Sequence, residues 1–154
     1  MGLTEDLIKG HEGLRLKVYF DTKGLQTIGY GFNLNAPGAA SICTQLGLDY
    51  AGLRAGTLSL TQDEANAVFQ YQLGIVLSQA SRIFPNYASM PEKVKAVVCD
   101  LLFMGEATFL EFHQTIAALK AYDWKAAADN LEDSLWYRQT GTRGIENVAL
   151  LRSA

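Results

Sequence analysis

An α+β fold, mostly helical with one small sheet, is the class this sequence predicts. Three observations predict it. Residues 16–32 carry a β-hairpin signal, Thr61 and Glu64 open a long stretch of helical periodicity, and the segment after Pro91 is apolar on most faces of a helix. The 154 residues fit one domain and are enough to bury a substantial core. Apolar residues make up 49% and charged residues 19%, a globular balance rather than a disordered one.

The elements follow in order. Thr4 can cap a first helix, with Glu5 and Asp6 in its first turn, where the helix dipole favours acids. Leu3 and Ile8 stand at the positions of a hydrophobic staple, and Gly13 is a C-terminal stop that leaves Glu12 in the last turn. Leu16 to Phe20 and Leu25 to Phe32 read as strands around an Asp21-Thr22-Lys23-Gly24 turn. Gly29 and Gly31 weaken a regular strand and signal a bulge or a close backbone approach. Residues 33–60 lack clear periodicity and read as loop, with a short helix around Ala39 to Leu46.

Thr61 and Glu64 form a capping box. Behind them Ala65, Val68, Phe69, Leu73, Val76, Leu77, Ala80 and Ile83 recur at helical spacing, and the helix ends near Phe84-Pro85. Val94, Val97, Val98, Leu101 and Leu102 mark a central buried helix. Further helices are expected from about Phe109 to Leu119, from Trp124 to Leu131 and near Ile145 to Leu151. The expected layout is a single domain over 1–154. It has a small lobe over about 13–60, a connecting helix over about 61–84, and a helical lobe over about 85–154 that includes the N-terminal helix.

Several function classes fall away. The formal net charge is −3 and the pI near 5.3, which argues against broad nucleic-acid binding. No apolar run approaches the roughly 18 to 20 residues that span a bilayer, so no stable membrane insertion is expected. The N-terminus lacks the basic and apolar regions of a signal peptide, and Asp6 stands where a myristoylation motif wants Ser or Thr. Cys43 and Cys99 lack metal or redox spacing and His11 and His113 sit apart, so two buried free thiols and no metal are expected.

Glu12, Asp21 and Thr27 come from a helix end, a turn and a returning strand, which can bring them around one cleft. Two carboxyls in different environments are what acid–base hydrolysis of a glycoside needs, one as proton donor and one ionised. The negative end of the helix dipole favours the protonated form of Glu12, while a polar turn keeps Asp21 ionised. A threonine hydroxyl can donate and accept at once, which suits holding a water. Each residue also has a plainer account: a solvated helix end, a turn cap, a good strand former. By themselves they leave glycoside hydrolysis as one reading among many.

The stretch His11-Glu12-Gly13-Leu14-Arg15-Leu16-Lys17-Val18-Tyr19-Phe20-Asp21, continued through Thr27-Ile28-Gly29-Tyr30-Gly31, resembles the signature of the phage lysozymes, glycoside hydrolase family 24. That signature is a Glu, eight residues, an Asp, five residues, a Thr, then Ile-Gly-x-Gly, and this chain matches it without a gap. Leu60 to Phe69 resembles the family's entry into its long connecting helix. Phe103-Met104-Gly105-Glu106 resembles the end of its central helix, with one residue missing after Phe103. Ser134 to Thr140, with Arg143 and Glu146, resembles its closing motif. Two departures stand out: Phe32 replaces a frequent histidine, and His11 replaces an acid found in one branch of the family. The segment from Leu34 to Thr57 is longer than in compact members.

The resemblance implies a two-lobed lysozyme-like fold, and a muramidase that cuts the β-1,4 bond between N-acetylmuramic acid and N-acetylglucosamine without a cofactor. It implies Glu12 as acid, Asp21 as base or electrostatic partner, and Thr27 as holder of the water, with inversion. It also implies Phe103 and Thr115 as substrate-binding candidates; Phe32, at a position that is usually structural in the family, is a third candidate. Arg143 and His11 are supporting residues; Arg143 returns to the neighbourhood of Glu12, and His11 either packs or acts on Glu12 electrostatically. The expected partner is the bacterial peptidoglycan strand, met by a monomer that waits in the host cytoplasm for release to the wall. The alternatives are an inactive wall-binding or phage structural module and a chitin-active relative.

Overall fold

The computed structural model describes residues 2–154. In chain order its helices are α1 (Leu3–Glu12), α2 (Ala39–Gln45), α3 (Tyr50–Ala55), α4 (Gln62–Ile83), α5 (Glu92–Phe103), α6 (Glu106–Phe109), α7 (His113–Lys120), α8 (Trp124–Glu132), α9 (Leu135–Thr140) and α10 (Thr142–Arg152). The strands β1 (Arg15–Phe20), β2 (Gln26–Gly29) and β3 (Phe32–Asn33) lie between α1 and α2. The class is therefore α+β and mostly helical, as the periodicities predict. Two compact units divide the chain: Glu12–Gly74, and the residues up to His11 together with Ile75–Ala154.

In the Glu12–Gly74 unit the strands form an antiparallel sheet in the order β1-β2-β3. Asp21 shapes the hairpin turn: its Oδ1 accepts the amides of Lys23 (2.8 Å) and Leu25 (2.9 Å). Register is fixed by Tyr19 opposite Thr27 and Ile28 opposite Phe32, which puts Ile28 and Phe32 on the buried face. The bulge falls in β1, between Arg15 and Tyr19, rather than at the glycines of the returning strand. Leu34, Cys43, Leu53, Leu60 and Val68 complete this core.

The region 33–60 holds two helices where its sequence suggests one. Asp49 caps α3 by accepting the Gly52 amide (3.0 Å), and Gly56 closes it in the left-handed conformation. Six residues make under two turns, too few for a periodic signal, so only the caps could announce it. At the start of α4 the capping box is reciprocal: Thr61 N–H donates to Glu64 Oε1 (2.8 Å) and Glu64 N–H to Thr61 Oγ1 (3.1 Å). Thr61→Ala is expected to lower stability by about 1 kcal/mol, read as a shift in denaturation midpoint at unchanged slope. An unchanged midpoint would mean that water replaces the cap.

The other unit is helical throughout. In α5 every residue from Ala96 to Leu102 is buried, including the charged Asp100. α10 packs against α8, α5 and α9, and α7 against α8. An edge-to-face chain of rings, Phe84–Phe109–Phe112–Trp136, runs through it at centroid spacings of 5.8 to 6.4 Å. The helix expected from Phe109 to Leu119 is two, α6 and α7, broken at Leu110–Phe112. α9 was not foreseen as a helix, and α10 begins three residues before Ile145. Thr4 lies inside the first turn of α1 instead of capping it. Cys43 and Cys99 are both buried and form no disulfide. No helix among the described residues is long and apolar enough to cross a membrane.

Candidate active site

Glu12 is the last residue of α1, and Gly13 at φ 71° turns the chain out of the helix into β1. Its carboxyl rests on the backbone of Gly31, in the turn between β2 and β3. A Cβ built on Gly31 would lie 2.5 Å from Glu12 Oε2 and 3.0 Å from its Cδ. Gly31 also has φ 72°, so glycine is required there twice, for the approach and for the conformation. This is the close backbone approach that the glycine-interrupted strand announces. At Gly29 (φ 66°) the nearest side-chain atom, Leu60 Cδ1, is a comfortable 3.6 Å away.

Asp21 and Thr27 belong to the same hairpin. The two turn amides occupy Asp21 Oδ1, leaving Oδ2 for other partners. Thr27 is only 4% exposed, and its hydroxyl donates to the Leu25 carbonyl (3.1 Å). With its hydrogen committed, the oxygen keeps lone pairs to accept a further donor.

Tyr19 reports on both carboxyls. Its hydroxyl is held above the usual tyrosine range, first by burial, then by the negative charge of Glu12, with Asp21 adding in the same sense. Arg15, whose guanidinium carbon lies 4.6 Å from the centre of the Tyr19 ring, opposes that shift. Glu12 and Asp21 thus act on one phenol. Nothing in the sequence singles out Tyr19 for this position beyond its place between the two acids.

Phe32 belongs to the same unit, and Phe103, Thr115, His11 and Arg143 belong to the helical one. Phe32 is 4% exposed and packs in the core with Ile28 and Leu34. The strand register turns it inward. Phe103 ends α5 half-buried. Thr115 is buried but borders a hollow of about 370 Å³ with Glu111, Phe112, His113, Asn130 and Asp133. His11 and Arg143 both meet Asp100: His11 Nδ1 lies 3.0 Å from Oδ2, and Arg143 donates to both carboxylate oxygens (3.0 and 2.9 Å). His11 is therefore hydrogen-bonded within its own unit. Asp100 is the residue that the sequence reading missed. Its signal was present: an acid inside the most apolar helix of the chain must find partners. Among the described residues no group of three or more His, Cys, Asp or Glu is arranged to hold a metal ion.

Comparisons with known proteins bear on the family of the chain. The chain is 29% identical over 149 residues to the pre-baseplate central spike protein Gp5 of Enterobacteria phage T4, a match covering 90% of this chain and 25% of that protein. It therefore spans about a quarter of that relative's length. It is also 23% and 24% identical to the probable T4-type lysozymes 1 and 2 of Dictyostelium discoideum, covering 97% of this chain and 93% of each. The family model described as phage lysozyme matches residues 9–151, a span that contains Glu12, Asp21, Thr27, Asp100 and Arg143. Peptidoglycan hydrolysis is the activity supported at the level of that family. The chain belongs to the phage lysozyme family.

Proposed function

We propose that this chain is a muramidase that hydrolyses the β-1,4 bond between N-acetylmuramic acid and N-acetylglucosamine in peptidoglycan, with inversion. The observation that carries the reading is the different seating of two carboxyls in one unit: Glu12 beside the Gly31 backbone, Asp21 tied into a polar turn. Glu12 protonates the leaving oxygen. A water gives one hydrogen to Thr27 Oγ1, whose own hydrogen is committed to Leu25, and the other to Asp21 Oδ2. Its lone pair then faces the anomeric carbon, and Asp21 takes the proton as the new C–O bond forms. The setting is host-cell lysis or wall degradation; the likeness to a baseplate spike protein supports delivery on a particle as a second setting.

A water between sugar and carboxylate needs room. Inverting glycosidases hold their carboxyls roughly 6.5 to 9.5 Å apart, and retaining ones about 5 to 5.5 Å. The expected first product is the α-anomer, with no covalent glycosyl-enzyme. Proton NMR of freshly released reducing ends from purified wall, read before mutarotation, tests both claims. A β-anomer appearing first would make Asp21 a nucleophile. Release from chitin oligomers but not from wall would replace the substrate, and release from neither would leave a binding module.

A further inference from the structure

Asp100 is an unusual residue to find at the centre of a small helical unit. It is 0% exposed, and its neighbours along α5 are Val97, Val98, Cys99, Leu101 and Leu102, all buried. Its carboxylate accepts four hydrogen bonds. Oδ2 takes His11 Nδ1 (3.0 Å), Arg143 Nε (3.0 Å) and Asn147 Nδ2 (2.8 Å), and Oδ1 takes Arg143 Nη2 (2.9 Å). The Asp100 main-chain carbonyl accepts Arg143 Nη2 as well (3.0 Å). Glu146 faces the other side of the histidine, its Oε2 3.5 Å from His11 Nε2.

This arrangement is a poor way to gain stability. Buried ion pairs are often no better than apolar packing of the same volume, because both charges must leave water. The cluster also leaves two buried polar atoms without a hydrogen-bond partner among the described residues: His11 Nε2, and Oδ1 of Asn147, which turns its amide nitrogen to Asp100. What the cluster does provide is direction. A carboxylate with four donors locks the planar guanidinium and the imidazole ring in fixed orientations. One of those rings belongs to His11, in the last turn of α1, immediately before Glu12.

We propose that Asp100 is a positioning residue for the hydrolysis: it fixes Arg143 and His11, and through His11 the helix end that presents Glu12. The role as stated rests on the muramidase reading. The test compares four variants for kcat, KM, melting temperature and the carboxyl ¹³C resonance of Glu12, with rates taken below each variant's melting transition. Asp100→Asn places an amide where two oxygens were needed. It is expected to lower kcat by roughly ten- to a hundredfold with KM within about twofold, as for a displaced catalytic group. His11→Leu is expected to do the same. His11→Asn, which keeps an N–H near the position of Nδ1, is expected to restore most of the rate. Leu131→Ala, which removes buried packing and no hydrogen bond, is expected to lower the melting temperature with kcat within about twofold. The Glu12 resonance should move in Asp100→Asn and His11→Leu only.

A folded Asp100→Asn with wild-type kcat overturns the proposal, as does a Leu131→Ala protein that loses as much rate. If Asp100→Asn does not fold, the His11 pair decides, and equal rates for Leu and Asn count against the role. If the wild-type protein cleaves no wall, the muramidase reading fails by itself. The Glu12 resonance still judges the positioning, and an unmoved signal in His11→Leu ends it.

Discussion

Glu12→Gln is expected to lower wall hydrolysis by roughly 100- to 10,000-fold in kcat, while the protein keeps its fold and nearly its melting temperature. Glutamine has the shape of the protonated acid, so it fits the same seat over Gly31 that excludes even a methyl group. It cannot release a proton to a leaving oxygen, and that step carries the loss. KM should change little, since the substitution alters no shape and one side-chain oxygen remains as acceptor. The measurement is single-turnover release of reducing ends from purified wall, with a thermal melt on the same preparation. Turnover at close to the wild-type rate by a pure Glu12→Gln protein would leave Glu12 as a structural residue, and the assignment of the acid would be lost with it.

The sequence made the geometry of the hairpin legible because that part of the fold is local. Glu12, Asp21, Thr27 and Gly31 lie within one helix end and three short strands, where turn residues and glycines state the geometry directly. The capping box did the same for the start of α4. Other features were illegible for definite reasons. α3 is too short for a period, and the break between α6 and α7 falls among residues that show no clear helix breaker. The inward side of Phe32 is set by its pairing with Ile28, which the two-residue strand β3 is too short to show as an alternating pattern. Asp100 and its donors are separated by between 43 and 89 positions in the chain, and no local pattern links residues so far apart. A single acid among valines and leucines nevertheless demanded partners.

Gly31→Ala separates the seat of Glu12 from the fold that carries it. Two penalties arise at that position. The backbone φ of 72° costs an L-residue roughly 1 to 2 kcal/mol, and the new Cβ would stand 2.5 Å from Glu12 Oε2. Something must shift. The carboxyl is the far end of a flexible side chain, and the Gly31 backbone is held in a tight turn between paired strands, so Glu12 moves. A displacement of about 1 Å in a catalytic group costs on the order of 100-fold in rate, far more than the strain alone would suggest. Gly29→Ala supplies the comparison: its φ of 66° carries the same strain, but its Cβ meets only Leu60 Cδ1 at an ordinary 3.6 Å. Both variants should therefore lose similar stability in a denaturant titration, and Gly31→Ala alone should lose kcat on purified wall. Equal rates in the two variants would show that the carboxyl working on the substrate does not sit on Gly31.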